Sequence, residues 1–207
     1  MSLSIVSLNT RGLRDNLKRK ALFLFIKQQN SDFCFLQESH SVIDDTKFWK
    51  NQWGNDLWFS HGSERSAGVT SLKNKFEGAI LHSESDPNGR FVILIIKCDD
   101  DIVLLANVYG YNTKTDNDFL FDTLGSSFIS WLTKYPNLLF AVGGDFNVAI
   151  DDSVDRWPPK NRTGSISNII LFMQKFQLVD IWRKKNPNSK SYTWANKTGT
   201  CRSCIDY

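Results

Sequence analysis

A chain of 207 residues that is 41% hydrophobic and 23% charged can bury a substantial core, and it lacks the bias of a disordered or fibrous sequence. No apolar run has membrane-spanning length, and the opening MSLSIVSLNTRG lacks the basic and apolar regions of a secretion signal. Net charge is only +3, but its distribution is uneven: Arg156–Tyr207 carries ten lysines and arginines against two acids, residues 1–155 fifteen against twenty. Such a basic third suits contact with a phosphate backbone, although a solvated face would give the same run.

In chain order, Ser4–Leu8 reads as a strand, and Leu17–Gln29 as a helix with Ala21, Leu22, Phe25 and Ile26 on one stripe. A strand follows at Asp32–Leu36. Asp44 or Asp45 is placed to cap a shorter helix running through Trp53. Weaker strands are expected near Leu57–Phe59 and Gly68–Leu72, and a loop at Ser83–Gly89. The runs Phe91–Ile96 and Ile102–Val108 are strands about a turn at Asp99–Asp101, the first apolar throughout as for a strand covered on both faces. A helix from about Asp116 to Lys134 leads to a strand at Leu138–Val142. The segment Asp151–Gly164, with WPPKNRTG at its centre, has too many turn formers for regular structure and reads as a long loop of functional type. A third helix from about Ser165 to Gln177 and weak strands at Tyr192–Trp194 and Ser203–Tyr207 complete the chain. No segment has the composition of a linker, so a single domain is expected.

Without a secretion signal the four cysteines are expected to be reduced. Cys34 and Cys98 lie in apolar runs and read as core. Cys201 and Cys204 form a lone C-x-x-C without the second ligand pair that zinc needs, and fit a hairpin.

One internal echo organises the sequence. IVSLN, a helix, then FCFLQE ends on Glu38, and IVLLANVYG, a helix, then LLFAVGGD ends on Asp145. Each half is strand, helix, strand, with polar residues at strand ends: Asn9 and Glu38 in one, Tyr109 and Asp145 in the other. Two halves packed face to face predict an α/β (α+β) fold, a two-layered β-sandwich flanked by helices, with those ends on one edge.

A carboxylate closing an apolar strand, as Glu38 does, is costly to desolvate unless paired or bound to metal; a solvated strand end is the plainer alternative. In VGGDFNVA, Asp145 and Asn147 project to the same side of an extended chain, and an acid beside an amide can aim a water, although an Asx-type turn has the same spacing. Asn9 in SLNTRG, and Tyr109 and Asn112 in NVYGYN, sit just beyond strands. Thr193 and the pair Ser203-x-x-Asp206 add polar groups in the basic third.

The ordered motifs SLNTRG, FLQES, RSAGV, NVYGYN, GGDFN, YTW and SCIDY span essentially the whole chain, and they resemble the exonuclease III/DNase I-like endonuclease–phosphatase family. The likeness is greatest to the N-terminal endonuclease of LINE-type (long-interspersed/Tx-like) retrotransposons, and a methionine just before the first strand suits such a polyprotein's start. That resemblance implies catalytic magnesium, with manganese able to replace it, bound by Glu38 with Asn9 beside it. It implies that Asp145 activates or positions the attacking water, that Asn147 orients it, that Tyr109 hydrogen-bonds the scissile phosphate and that Asp206 supports the site. Double-stranded DNA is the implied partner, met by Arg11, Asn112, Arg156, Thr193, Lys197, Arg202 and Ser203. Nicking would leave a 5′-phosphate and a 3′-hydroxyl that primes reverse transcription by a downstream domain of the same polyprotein. Action on chromosomal DNA implies a nuclear protein, cytoplasmic in transit and monomeric as an isolated domain.

The family's pattern ends in Ser-Asp-His, whereas the histidines here are His40, His61 and His82, all before GGDFN. The chain is therefore expected to be a domain truncated before its last strand, weakly active or inactive alone, with His40 as scaffolding near the site. The same residues would serve a phosphomonoesterase or an abasic-site repair endonuclease, and a DNA-binding module without catalysis would share the basic third. Glu38 argues against the last, because a pure binder has no use for a carboxylate facing phosphates.

Overall fold

Alternating side chains in the first strands explain how the layers form. Strand β1 (Ile5–Asn9) leads into helix α1 (Asn16–Gln28), and β2 (Phe33–Gln37) returns parallel to it, Ile5 opposite Phe33 through Asn9 opposite Gln37. The computed structural model describes residues 2–159 and 168–207. Its contacts gather into two units, Met1–Tyr109 with Tyr135–Gly144, and Gly110–Lys134 with Asp145–Tyr207.

In the first unit, a 3-10 turn (Ile43–Asp45) and helix α2 (Thr46–Trp53) precede β3 (Leu57–Ser60) and β4 (Val69–Lys73). One sheet has the order β1-β2-β4-β3. Strands β5 (Ala79–Ser85), β6 (Phe91–Cys98), β7 (Asp101–Tyr109) and β8 (Leu139–Asp145) form the other in that order, β8 ending one residue inside the second unit. Phe33 and Phe35 of β2 and Val69 of β4 pack against Val92, Leu94 and Ile96 of β6 and Leu105 of β7, so the two sheets face each other across one core. The alternate residues Cys34, Leu36 and Leu72 pack with Phe23 and Ile26 of α1 and Trp49 and Trp53 of α2. Both parities of β6 are buried, as its apolar run predicts. The two-layered sandwich flanked by helices is the architecture present.

Local expectations need correction in this unit. The buried face of α1 is Arg19, Phe23 and Ile26; Ala21 and Phe25 are exposed. Arg19 is buried because Leu13 O, Arg14 O, Asn16 Oδ1 and Gln52 Oε1 take its donors, so one polar group shifts the face round the helix. Asp45 sits at the start of α2, but its carboxylate accepts from Val42 N and Arg14 instead of capping the helix. Residues 83–85 are not loop: they continue β5, a polar edge strand paired to β6.

The second unit contains α3 (Lys114–Lys134), β9 (Arg156–Trp157), α4 (Asn168–Lys175), α5 (Ile181–Lys185), β10 (Trp194–Ala195) and β11 (Arg202–Ser203). Phe121 and Phe128 of α3 meet Phe172 of α4 at ring distances of 5.5 and 5.2 Å. Asp118 Oδ1 accepts the Asn168 N–H of α4 at 3.1 Å, which ties the helix to α3. The three short strands form a sheet of order β10-β11-β9. Thus the expected loop contains a strand at Arg156–Trp157, and the two C-terminal strands are shorter than expected and joined by a hairpin. The remainder of that loop, 160–164, and the expected helix start at 165–167 lie outside the described residues.

Candidate active site

The first unit assembles three of the expected residues. Glu38 follows β2 with φ of 50°, a left-handed conformation that a non-glycine residue adopts when its surroundings hold it there. Its Oε1 accepts from Asn9 Nδ2 at 3.0 Å and from the Tyr109 hydroxyl at 2.7 Å. Asn9 Oδ1 accepts Arg11 N–H at 3.0 Å, which fixes the amide so that its NH2 faces Glu38. Asn9 therefore aims the carboxylate. The facing sheets bring Asn9 and Glu38, at the ends of β1 and β2, to Tyr109 at the end of β7. Among the described residues Glu38 Oε2 accepts no hydrogen bond. A half-buried carboxylate with one oxygen oriented by two donors and the other unclaimed fits a hard cation that keeps most of its waters. Among the described residues no three of His, Cys, Asp and Glu gather as a metal cage.

Sequence reasoning missed two supports. The Arg90 guanidinium lies 5.0 Å from the Tyr109 ring centre, and Arg90 O accepts Tyr109 N–H at 2.7 Å. Gln37 and Asn107, buried one residue before Glu38 and two before Tyr109, hydrogen-bond to each other. Gln37 and Asn107 stand inside the quoted motifs, and that was the available signal; Arg90 stands in none of them. His40, expected as scaffolding, lies over Gly12, where an added Cβ would come within 2.8 Å of its Nδ1.

In the second unit Asp145, 4% exposed, accepts Asn147 N–H on Oδ1 at 3.0 Å. This is an Asx turn, and it holds Asn147 at φ of 53°. Asn147 Nδ2 donates to Gly110 O at 2.9 Å, and Gly110 N donates to Asp145 O at 2.7 Å. Glycine is required at 110: a Cβ there would lie 2.0 Å from Phe146 O. Asp206 pairs with Asp145 in an antiparallel bridge, and Phe146 N donates to Ile205 O at 2.8 Å. The last described segment is thereby tied to the GGDFN turn. A cavity of about 180 Å3 is lined by Asn112, Lys114, Asn117, Asn147 and Arg156, bringing three of the expected residues together.

The expected DNA contacts are placed unequally. Arg11, Asn112, Lys197 and Arg202 are exposed. Arg156 is half-buried, with Nε 3.0 Å from Asp152. Ser203 is buried, and Thr193 Oγ1 accepts from Ile205 N and Asp206 N, so both serve the turn that carries Asp206.

The sequence matches the endonuclease/exonuclease/phosphatase family over residues 6–207. It is 31% identical over 195 residues to the Transposon TX1 uncharacterized 149 kDa protein of Xenopus laevis; the match covers 94% of this chain and 15% of that protein. Among solved structures, the AP endonuclease LMAP from Leishmania major superposes with a TM-score of 0.73 at 19% identity, over 99% of this chain and 78% of that one. A 3′ phosphatase from Neisseria bound to product DNA hairpin gives 0.73 at 19% identity, over 99% and 85%. Likeness at that identity fixes the fold, and the sequence match fixes the kinship: the chain belongs to the endonuclease/exonuclease/phosphatase family.

Proposed function

We propose that the chain is the magnesium-dependent, DNA-nicking endonuclease domain of a Tx1-type LINE retrotransposon. The observation that carries the reading is the Glu38 carboxylate, aimed by Asn9 and Tyr109 and with its other oxygen unclaimed among the described residues. Family membership and the transposon relative support it.

Glu38 would hold the metal, with Asn9 fixing the carboxylate's orientation. Bound magnesium supplies positive charge that offsets the charge building on the phosphate. Asp145 would take a proton from the attacking water, and Asn147, locked by Asp145 and Gly110, would orient that water. The Tyr109 hydroxyl, 2.7 Å from Glu38, can turn its proton to a phosphate oxygen. Asp206 would support Asp145 through the backbone bridge. The products would be a 5′-phosphate and a 3′-hydroxyl that primes reverse transcription in the nucleus by a downstream domain.

The test is nicking of supercoiled plasmid with magnesium and with chelator, by this chain and by one followed by a Ser-Asp-His segment. We expect metal-dependent open circles from the longer protein, with ends that a polymerase extends directly. Phosphomonoester hydrolysis without nicking would replace this reading with the phosphatase one.

A further inference from the structure

Asn88–Gly89 is the only Asn-Gly pair in the sequence, and it sits at the tip of the hairpin between β5 and β6. Turn chemistry explains the pair. Asp86 Oδ2 accepts Asn88 N–H at 2.9 Å and Arg90 N–H at 3.0 Å, Pro87 follows the acid, and Gly89 takes φ of 74°. A side chain at 89 would have no room, since its Cβ would lie 2.7 Å from His61 O and 2.9 Å from Gly68 N.

The same pair is reactive. A side-chain amide immediately before a glycine is open to attack by the glycine's backbone nitrogen, which no side chain shields. Asn88 is exposed, and among the described residues Gly89 N–H donates no hydrogen bond that the attack would have to break. Only a long contact, Nδ2 to Asp86 Oδ1 at 3.4 Å, holds the Asn88 amide. Gly89 N bonds to Asn88 Cγ, the Cγ–Nδ2 bond breaks, and ammonia leaves with the Gly89 amide proton, closing a succinimide ring. Water then opens the ring at either carbonyl. One opening gives aspartate; the other gives isoaspartate, with the former side-chain carbonyl now in the main chain.

Isoaspartate inserts one carbon, about 1.5 Å of chain, between residue 88 and Gly89. Gly89 has no slack to absorb it. Its O accepts Gly68 N–H at 3.1 Å, and Gly68 O accepts Ser39 N–H at 2.9 Å, next to Glu38. One residue on, Arg90 O accepts Tyr109 N–H at 2.7 Å. The hairpin tip is thereby wired to both partners of the Glu38–Tyr109 hydrogen bond.

We propose that Asn88 is a self-modification site: its conversion by water to isoaspartate displaces Gly89 and Arg90 and draws Tyr109 away from Glu38, an ageing switch on the site. The effect on activity rests on the nuclease reading; the chemistry at Asn88 does not.

The test holds the chain in warm, mildly alkaline buffer and follows the tryptic peptide ending at Arg90 by mass and by isoaspartyl methyltransferase labelling. Asn88 should convert ahead of every other asparagine, mainly to isoaspartate. Asn88→Gln, whose longer amide must close a larger ring, should block the conversion. Amide exchange at Tyr109 and Gly68 should speed in the converted protein, and not in Asn88→Gln held alongside. In the protein carrying the Ser-Asp-His segment, nicking should fall in step with the isoaspartate fraction. Methyltransferase with S-adenosylmethionine, which returns isoaspartate through the succinimide to aspartate, should restore it, as no recovery from general denaturation would. Freshly made Asn88→Asp carries the new charge without the extra backbone atom and should nick as unaged protein does. If Asn88 converts no faster than the exposed Asn188 before Ser189, the site is overturned. Conversion with unchanged exchange overturns the switch, as does conversion that leaves an active protein's nicking intact. Fresh protein that never nicks removes the nuclease reading, and the exchange result then decides the switch by itself.

Discussion

Gln37 Nε2 donates to Asn107 Oδ1 at 2.7 Å, across the two sheets of the sandwich and beneath the Glu38–Tyr109 contact. Asn107 Nδ2 in turn donates to Thr70 O at 3.1 Å and Ser71 Oγ at 3.2 Å, and Gln37 and Asn107 are both fully buried. A polar pair in an apolar core fixes register, because only one alignment of the sheets satisfies both amides. That alignment puts Glu38, one residue on, within hydrogen-bond reach of Tyr109, two residues on.

Removing one amide leaves the other buried without its partner. Asn107→Leu and Gln37→Leu should each destabilise the fold by about 1–3 kcal/mol, and the double variant by less than their sum. Urea unfolding of the four proteins measures this. Additive losses would mean the two amides do not act as a pair.

Glu38→Gln preserves volume and the site's shape while removing the charge. In the protein carrying the Ser-Asp-His segment it should cut magnesium-dependent nicking by at least about a hundredfold, since a metal's charge is worth several kcal/mol in the transition state. DNA affinity should hold. Asp145→Ala should also abolish nicking, with binding unchanged or tighter, because an acid near phosphates has gone. Loss of binding in step with activity would instead assign Asp145 to the fold, through its Asx turn and its bridge to Asp206.

Much of this was legible in the sequence because strand periodicity and motif order are local. The strands that carry Asn9, Tyr109 and Asp145, and the one that Glu38 follows, end within three residues of their expected ends. Strand β5 was not legible: its sequence AILHSES is polar, and an edge strand depends on its neighbour for pairing. Nor was the buried stripe of α1, since Arg19 looks like a surface residue until four acceptors surround it. The contact between Tyr109 and Glu38 is non-local, and no spacing encodes it. Asn9's orientation involves the Arg11 backbone N–H, a contact that residue types and spacing do not encode.

His61 gives the fold an acid-sensitive point. Its Nδ1 lies 3.1 Å from Ser41 Oγ and its Nε2 3.2 Å from Thr46 Oγ1, hydroxyl partners that a neutral ring satisfies. Burial lowers its pKa below the ordinary 6.5, against smaller opposing effects of Ser41 and Asp45. A depressed folded-state pKa contributes stability that is complete above the unfolded value. That stability is lost as pH falls below 6.5 through the lower folded pKa. His61→Gln should flatten the fall in melting temperature between pH 7 and about 5. An identical slope in the variant would place the sensitivity elsewhere.

The C-x-x-C pair should behave as two unrelated thiols. Burial, followed by Asp155 and Asp180, pushes Cys204 up to about 11, and burial alone takes Cys34 to about 12. The thiolate is the reactive form, so native protein at neutral pH should be alkylated rapidly at exposed Cys201 and not at Cys204 or Cys34. Peptide mapping after brief iodoacetamide treatment reads the sites. Comparable labelling of Cys204 would show that the sheet around it opens.

The hairpin between β10 and β11 is stiffened by its own side chains, as a structure that senses DNA shape would need. Asn196 N donates to Cys201 O at 3.0 Å, and Asn196 Oδ1 accepts Cys201 N–H at 3.0 Å. Asn196 Nδ2 reaches Thr200 Oγ1 at 3.0 Å, and Gly199 supplies the left-handed residue at φ of 68°. Lys197 is thus carried on a tip braced by Asn196 at its base, and among the described residues nothing lies within 4 Å of where a Gly199 Cβ would be. A rigid, charged tip can test groove width and deformability instead of base identity. Replacing residues 195–200 with a two-residue turn, in the protein carrying the Ser-Asp-His segment, should therefore move the nick positions on a mapped plasmid more than it lowers the total rate. Asn196→Ala should give a milder version of the same change, with faster amide exchange at Cys201. Unchanged nick positions in both variants would reduce the hairpin to a connection between strands, and the choice of target would then rest with other surfaces.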